Sequence, residues 1–422
     1  MIVVSIGLFM ITSIVYWVRT KSMFNPVSLL CWSFLGSMVS VLVISTTAAR
    51  PPTYSDDVMR ILSNAYLVSF AGFMMSWLLY FLVGHNSSHS ARTTLHIPLP
   101  WKERSRTRAT VLLFDKLIIV AIIVGSLIMG ALPLVKMLKG DLNIAQSNVL
   151  SKVLPMGLAF GISAFGMVLS IYLAECLRDS LRHGVSARLM WTSYTVALLS
   201  SVWKGQRQGV LFILFVTVVA LLSRHGSRRW RVKTTIWIVI MLLGFIGMFN
   251  GIQLIRLHGQ GYSSLQPILY GEYPAMNLVT AIQSVSVEPS LNHAPRVLFL
   301  ELVPNRSVAR TSAATAMGSV SLYEPTSSSG YLLYWYLDYG WLGILLGGVI
   351  LGVAARLAYR KRNRSQLWRG VYYLILWCCA TVSIYSHLLT LAFFWGPIIL
   401  LGIFSYASRV RLHLASPQRD DS

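Results

Sequence analysis

The chain has 422 residues, 55% hydrophobic and only 12% charged, with a mean hydropathy of +0.62. So apolar a composition excludes an ordinary soluble enzyme of this size and fits a polytopic membrane protein, one bundle rather than several soluble domains. The formal charge of +22 would suit nucleic acid, but the Lys and Arg residues sit in short loops between apolar runs. That placement sets topology, and no nucleic-acid partner is expected.

In chain order, Ile2 to Val18 is apolar, has no basic stretch before it and no small-residue cleavage site after it, and reads as a retained first span. Val27 to Thr47 is the second, and Ile61 to Gly84 the third. A basic segment from His85 to Thr110 follows, then spans four and five at about Leu117 to Leu138 and Val153 to Glu175. Met190 to Trp203 and Gly209 to Leu222 are short spans six and seven, joined by the polar turn Lys204 to Gln208 into a tight hairpin. Span eight is about Thr235 to Ile255. Span nine is expected at about Tyr339 to Leu357, and a second close pair at Val371 to Ser386 and Leu391 to Ala407.

The expected fold is therefore an all-α membrane bundle of about eleven spans. Residues 1–255 hold spans one to eight, 256–330 form a large outer loop with short amphipathic helices, 331–408 hold spans nine to eleven, and 409–422 are a tail. With the N-terminus outside, 25 of the 36 Lys and Arg residues fall in inner loops and the tail, against 11 outside. The positive-inside rule then puts the C-terminus, the basic block Arg356 to Arg369 and the tail on the cytoplasmic face. The Lys204 turn and the long loop fall on the outer face. Cys31, Cys176, Cys378 and Cys379 show no metal-ligand spacing and read as reduced, structural thiols.

A loop of this length is functional or disordered, and its apolar clusters Tyr273 to Val287 and Val297 to Val303 argue for pieces docked on the bundle. The outer face carries Lys204, Arg207, Arg256, His258, Arg306, Arg310, Tyr323, Glu324 and Asp338. Arginine offers a planar, bidentate grip on phosphate with a charge that does not titrate away. Each residue also has a plain structural reading. Arg207 ends a hairpin at headgroup level, although Gly205 and Gly209 beside it let the backbone turn and a large group approach. Arg256 anchors a span end, Arg306 decorates a turn after Val303, Pro304 and Asn305, and the histidines are loop residues. Glu324 is a turn carboxylate, and Asp338 caps the start of span nine. Tyr323, Tyr331, Tyr334 and Trp335 read as an interfacial aromatic belt. The shared face is the argument for function.

Walker loops, GxGxxG turns, HExxH, CxxC and Asp-x-Asp pairs are missing from the sequence. Neither a metal nor a cofactor is expected. Carboxylates at span centres are nearly missing too, which weakens an ion-coupled transporter.

With these features the chain resembles the bacterial oligosaccharide repeat unit polymerases, the Wzy-type O-antigen polymerases. The resemblance rests on many spans, Gly205-Gln-Arg207 opening the apolar run Val210 to Leu222, and one large loop. It rests also on Phe299 to Arg306, on Glu324-Pro-Thr326, and on Asp338 to Gly343 at the loop's end. It implies a metal-independent glycosyltransferase of the bacterial inner membrane, its N-terminus and active site periplasmic and its C-terminus cytoplasmic. Growing glycan would leave one undecaprenyl diphosphate carrier for a hydroxyl of a repeat unit on another. Arg207, Arg256 and Arg306 would bind diphosphate, with Arg310, Lys204, Tyr323 and Asp338 in support, and Tyr323, Tyr331, Tyr334 and Trp335 would stack on sugar faces as the alternative to a belt. Glu324 and His258 are the two candidates for general base. The implied partners are the lipid-linked oligosaccharide, the bilayer and a chain-length regulator protein. Two alternatives stay open: an O-antigen ligase that transfers glycan to lipid A core, and a non-enzymatic lipid-linked oligosaccharide flippase.

Overall fold

A computed structural model describes residues 2–20, 22, 24–46, 56–83, 167–168, 170–171, 207–222, 266–285, 287, 330–384 and 394–403. Among these every regular element is helical. In order they are α1 (Ile2–Thr20), α2 (Pro26–Thr46), α3 (Asp56–Val83), α4 (Arg207–Leu222), α5 (Gln266–Ser284), α6 (Tyr331–Lys361) and α7 (Gln366–Thr381), followed by a helical stretch at 394–403. α1, α2, α3 and α6 are long and apolar enough to cross a membrane. α1 exposes Val3, Ile11, Val15 and Val18, a face suited to hydrocarbon rather than water.

Local chemistry explains where these helices start. Asn25 caps α2, its Oδ1 accepting from Ser28 N at 2.9 Å, and Pro26 follows at the first helical position, where a missing N–H costs nothing. The Ser28 hydroxyl donates to the Ser13 carbonyl at 3.1 Å and so closes α1 and α2 into an antiparallel hairpin. Ser365 caps α7 by accepting from Trp368 N at 3.2 Å. Asp56 and Asp57 open α3, where carboxylates favour the positive end of the helix dipole.

The core is built on ring stacking and on backbone contact. Phe34 stacks on Tyr66 at 4.4 Å, Phe9 meets Phe34 and Phe70, and the Tyr66 hydroxyl donates to Ser37 at 2.7 Å. α3 and α6 touch through small residues. A Cβ on Gly348 would collide with the Ser69 carbonyl, one on Gly72 with the Leu345 carbonyl, and one on Gly352 with the Ser76 hydroxyl. Small residues let backbones approach where lipid supplies no hydrophobic drive between helices.

These contacts also give relative directions. Ser69 faces Gly348 and Trp77 faces Tyr359, so α3 and the later part of α6 run the same way. Ser5 pairs with Ser63 and Phe9 with Phe70, so α1 runs with them. α2 opposes α1, and α7 runs with α2, since Tyr372 bonds the Phe24 carbonyl and Ser383 bonds Ser33. One end of the bundle therefore gathers Arg19 and the basic block after Arg356. The other holds Asp56, Asp57 and Arg60, with an Arg60 to Asp57 ion pair at 2.9 Å.

Two expectations change. The third span starts earlier than Ile61, because the Asp56–Asp57 turn is already helical. α6 begins at Tyr331 rather than Tyr339, because a short helical limb precedes the break at Tyr339 and Gly340. Cys31, Cys378 and Cys379 are buried and free, while Cys176 lies outside the described residues. The expected docking of the Tyr273 to Val287 cluster is observed as α5, which packs on α2, α3 and α6.

If glycine contact sets the α3–α6 distance, Gly348→Val should destabilise the protein by about 1 to 3 kcal/mol, the usual cost of overpacking. Gly36→Val is the control, because a Cβ there meets nothing within 4 Å. Thermal unfolding of both variants in detergent reads the difference, and equal midpoints would refute the contact.

Candidate functional site

α6 is two limbs rather than one rod. Tyr339 (φ −140°, ψ 15°) and Gly340 (φ 60°, ψ −138°) break it, and only glycine tolerates the second geometry readily. In a straight helix Tyr331 and Gly347 would stand about 24 Å apart. Instead the Tyr331 hydroxyl donates to the Gly347 carbonyl at 3.0 Å. Trp335 lies over Gly347, and a Cβ on Gly343 would strike the Trp335 carbonyl. Residues 331–338 thus fold back antiparallel along the start of 341–361. Two interleaved glycine pairs make this compact: Gly343 and Gly347 receive the short limb, while Gly348 and Gly352 receive α3.

The short limb starts inside the bundle. Tyr331 N donates to the Val382 carbonyl at 3.1 Å just past the end of α7. Gly330 lies against the Ser383 carbonyl, where a Cβ would come within 2.8 Å. The Ser383 hydroxyl meets Ser33 Oγ at 2.8 Å and donates to the Ser33 carbonyl at 3.0 Å. Gly347, beside Tyr331, is next to the residue that faces Ser69, near the middle of α3. A helix end, a helix start and a serine pair therefore share one level well away from either end of the bundle.

α4 approaches the same level. Phe215 packs on both Phe24 (6.2 Å) and Trp377 (5.3 Å), whereas Phe212 packs on Trp377 (5.7 Å). α4 therefore runs opposite to α7, with its first turn pointing away from Phe24. Arg207, five residues before Phe212, stands about 7.5 Å further along, at the level where α7 ends. The first turn of a helix offers free N–H groups and a positive dipole end, which favour an anion.

Of the sequence-derived candidates, the structure describes Arg207 as the first residue of α4 and Asp338 as a completely buried residue at the end of the short limb. The break at Tyr339 and Gly340 lies between Asp338 and the long limb. Lys204, Arg256, His258, Arg306, Arg310, Tyr323 and Glu324 lie outside the described residues. Tyr331 is not a belt residue facing lipid, because its ring is buried and its hydroxyl reaches the Gly347 carbonyl, whereas Trp335 is half-buried over Gly347.

The sequence reading gave no role to Glu272, which is completely buried on the inner face of α5 with Ala275, Met276 and Val279. The spacing of these four residues was the available signal, since it places the carboxylate on the apolar stripe. α5 is tied to the α6 hairpin by the Tyr336 hydroxyl, which donates to the Ile282 carbonyl at 3.4 Å. Among the described residues no group of three or more His, Cys, Asp or Glu could hold a metal ion. No family model, curated protein or solved structure matches the chain.

Gly340→Ala should cost about 1 to 3 kcal/mol, because alanine strains at that φ and ψ although its methyl group would meet no neighbour. Denaturant or thermal unfolding in detergent measures it. An unchanged midpoint would mean that the chain does not turn there.

Proposed function

We propose that the protein is a surface-polysaccharide polymerase of the bacterial inner membrane. It moves a growing glycan from undecaprenyl diphosphate to a lipid-linked repeat unit at the periplasmic face. The observation that carries this reading is the shared level of three points: Arg207 in the first turn of α4, the end of α7, and Gly330 ahead of the short limb. A reaction at a lipid-borne diphosphate needs fixed positive donors beside hydrocarbon, and a helix start carrying an arginine supplies them.

In this reading Arg207, Arg256 and Arg306 hold the departing diphosphate and offset its developing charge. Lys204, Arg310, Tyr323 and Asp338 support them, and Glu324 or His258 takes the proton of the acceptor hydroxyl. No metal or cofactor is needed for that chemistry. A groove open sideways to the bilayer lets the polyprenyl chain stay in lipid while its headgroup reacts. The full arrangement has eleven spans with a periplasmic N-terminus and a cytoplasmic C-terminus. The relative directions of α1, α2, α3, α4, α6 and α7 support it, since odd-numbered and even-numbered spans oppose one another. A chain-length regulator is the protein partner.

Ligase and flippase functions are distinguished by what accumulates when the gene is deleted. Loss of a polymerase leaves lipid A core capped by one repeat unit, loss of a ligase leaves polymer on its carrier, and loss of a flippase traps repeat units on the cytoplasmic side. Restoring the strain with wild type should return the polysaccharide ladder. Arg207→Ala at matched membrane levels should lower the rate about a hundred- to a thousand-fold, as for removal of one transition-state donor. A normal ladder from Arg207→Ala would remove the diphosphate site from this position. Core without any repeat unit in the deletion strain would overturn the polymerase.

Orientation has its own test, in a Cys176→Ser background whose described cysteines are buried. Asp57→Cys should react with an impermeant maleimide on intact spheroplasts, and Arg364→Cys only after permeabilisation. The reverse pattern would place the long loop in the cytoplasm and end the proposal.

A further inference from the structure

The basic end of the bundle carries a second feature that topology alone does not require. From Arg356 to Arg369 the chain holds six Lys and Arg residues and no carboxylate. Cations that serve only to set topology extend into water, yet three of these are half-buried on aromatic rings. Arg356 lies over Trp77 at 4.8 Å, Arg362 over Tyr359 at 3.7 Å and Tyr372 at 5.8 Å, and Lys361 over Trp368 at 4.4 Å. The rings form a ladder, Trp77 to Tyr359 at 5.7 Å and Tyr359 to Tyr372 at 6.0 Å. It bridges α3, α6 and α7.

Stacking orients a guanidinium without neutralising it, and leaves its edge donors available. Arg362 is further fixed by donating to the Tyr359 carbonyl at 2.6 Å. Arg356 Nε is buried and makes no hydrogen bond within the described protein. Among the described residues an ion pair forms at the opposite end, between Arg60 and Asp57. Cations held on rings, in a segment that carries no carboxylate and set where two apolar helices end, match one ligand chemistry. We propose that the α6–α7 turn binds the phosphate of an anionic phospholipid headgroup. The site is built by the aromatic ladder, and its ligand is bilayer lipid rather than a soluble anion, because Trp77 and Tyr359 belong to helices apolar enough to cross a membrane.

Native mass spectrometry of the full chain in detergent tests this, with phosphatidylglycerol and phosphatidylcholine added at equal concentration. Wild type should retain phosphatidylglycerol over phosphatidylcholine by about fivefold per engaged cation. The pair Arg356→Gln and Arg362→Gln should abolish the preference, and Arg60→Gln at the other end should keep it. The pair Arg356→Lys and Arg362→Lys, which keeps charge but loses the planar fork, should lose part of it. Equal retention of both lipids by wild type would overturn the proposal. So would retained preference in the Gln pair, or displacement of the lipid by an equal concentration of inorganic phosphate. If the Gln pair does not fold, an undiminished preference in the Lys pair assigns binding to charge alone and overturns the site.

Discussion

Backbone contact between α3 and the long limb of α6 is the constraint on which the other elements depend. Between helices that both face hydrocarbon, burying leucine gains little, because lipid is as apolar as the leucine it replaces. Stability must come from dispersion at short range, and that needs positions without side chains. Gly72 on α3 and Gly348 and Gly352 on α6 supply them, with Ser69 and Ser76 between. The Trp77 and Tyr359 rings then meet at one end of the same seam.

The second glycine pair on α6 is turned to a different task. Gly343 and Gly347 accept the Tyr331 to Asp338 limb, so one helix serves as the wall for both α3 and its own preceding segment. This arrangement sets Gly330 and Tyr331 inside the bundle at a level shared with the end of α7 and the first turn of α4. Broken helices expose backbone N–H and C=O groups, which cannot be left bare among hydrocarbon. Tyr331 N on the Val382 carbonyl and Ser383 on Ser33 satisfy some of them.

Charge is divided unevenly between the two ends of the bundle among the described residues. The basic end carries its cations on aromatic rings at α6 and α7, whereas the other end has a balanced Asp57 to Arg60 pair. A strongly positive end resists transfer across a bilayer and so holds the orientation. Arg207 stands apart from that cluster, at the start of α4. In the proposed reaction it serves the diphosphate rather than the orientation.

Much of the helical content was legible from apolar runs alone. Hydropathy located α1, α2, α3 and α4, and the caps at Asn25 and Ser365 are of the residue types that favour those places. The buried, free state of Cys31, Cys378 and Cys379 also follows from their apolar surroundings. Tertiary structure decided the rest. Periodicity cannot report a reversal inside a continuous apolar run, so Tyr331 to Asp338 read as a loop end with belt aromatics, when the chain in fact turns at Gly340 and the Tyr331 ring is buried. Nor does a one-dimensional pattern tell which of four glycines meets which neighbour, because that depends on the face each presents once the helices have crossed. The sequence by itself determined that this chain is helical and apolar, with its cations gathered between runs. Only packing determined that Arg207, Gly330 and Ser383 lie at one level, because residues far apart in sequence are brought together by backbone contacts that leave no signature in hydropathy.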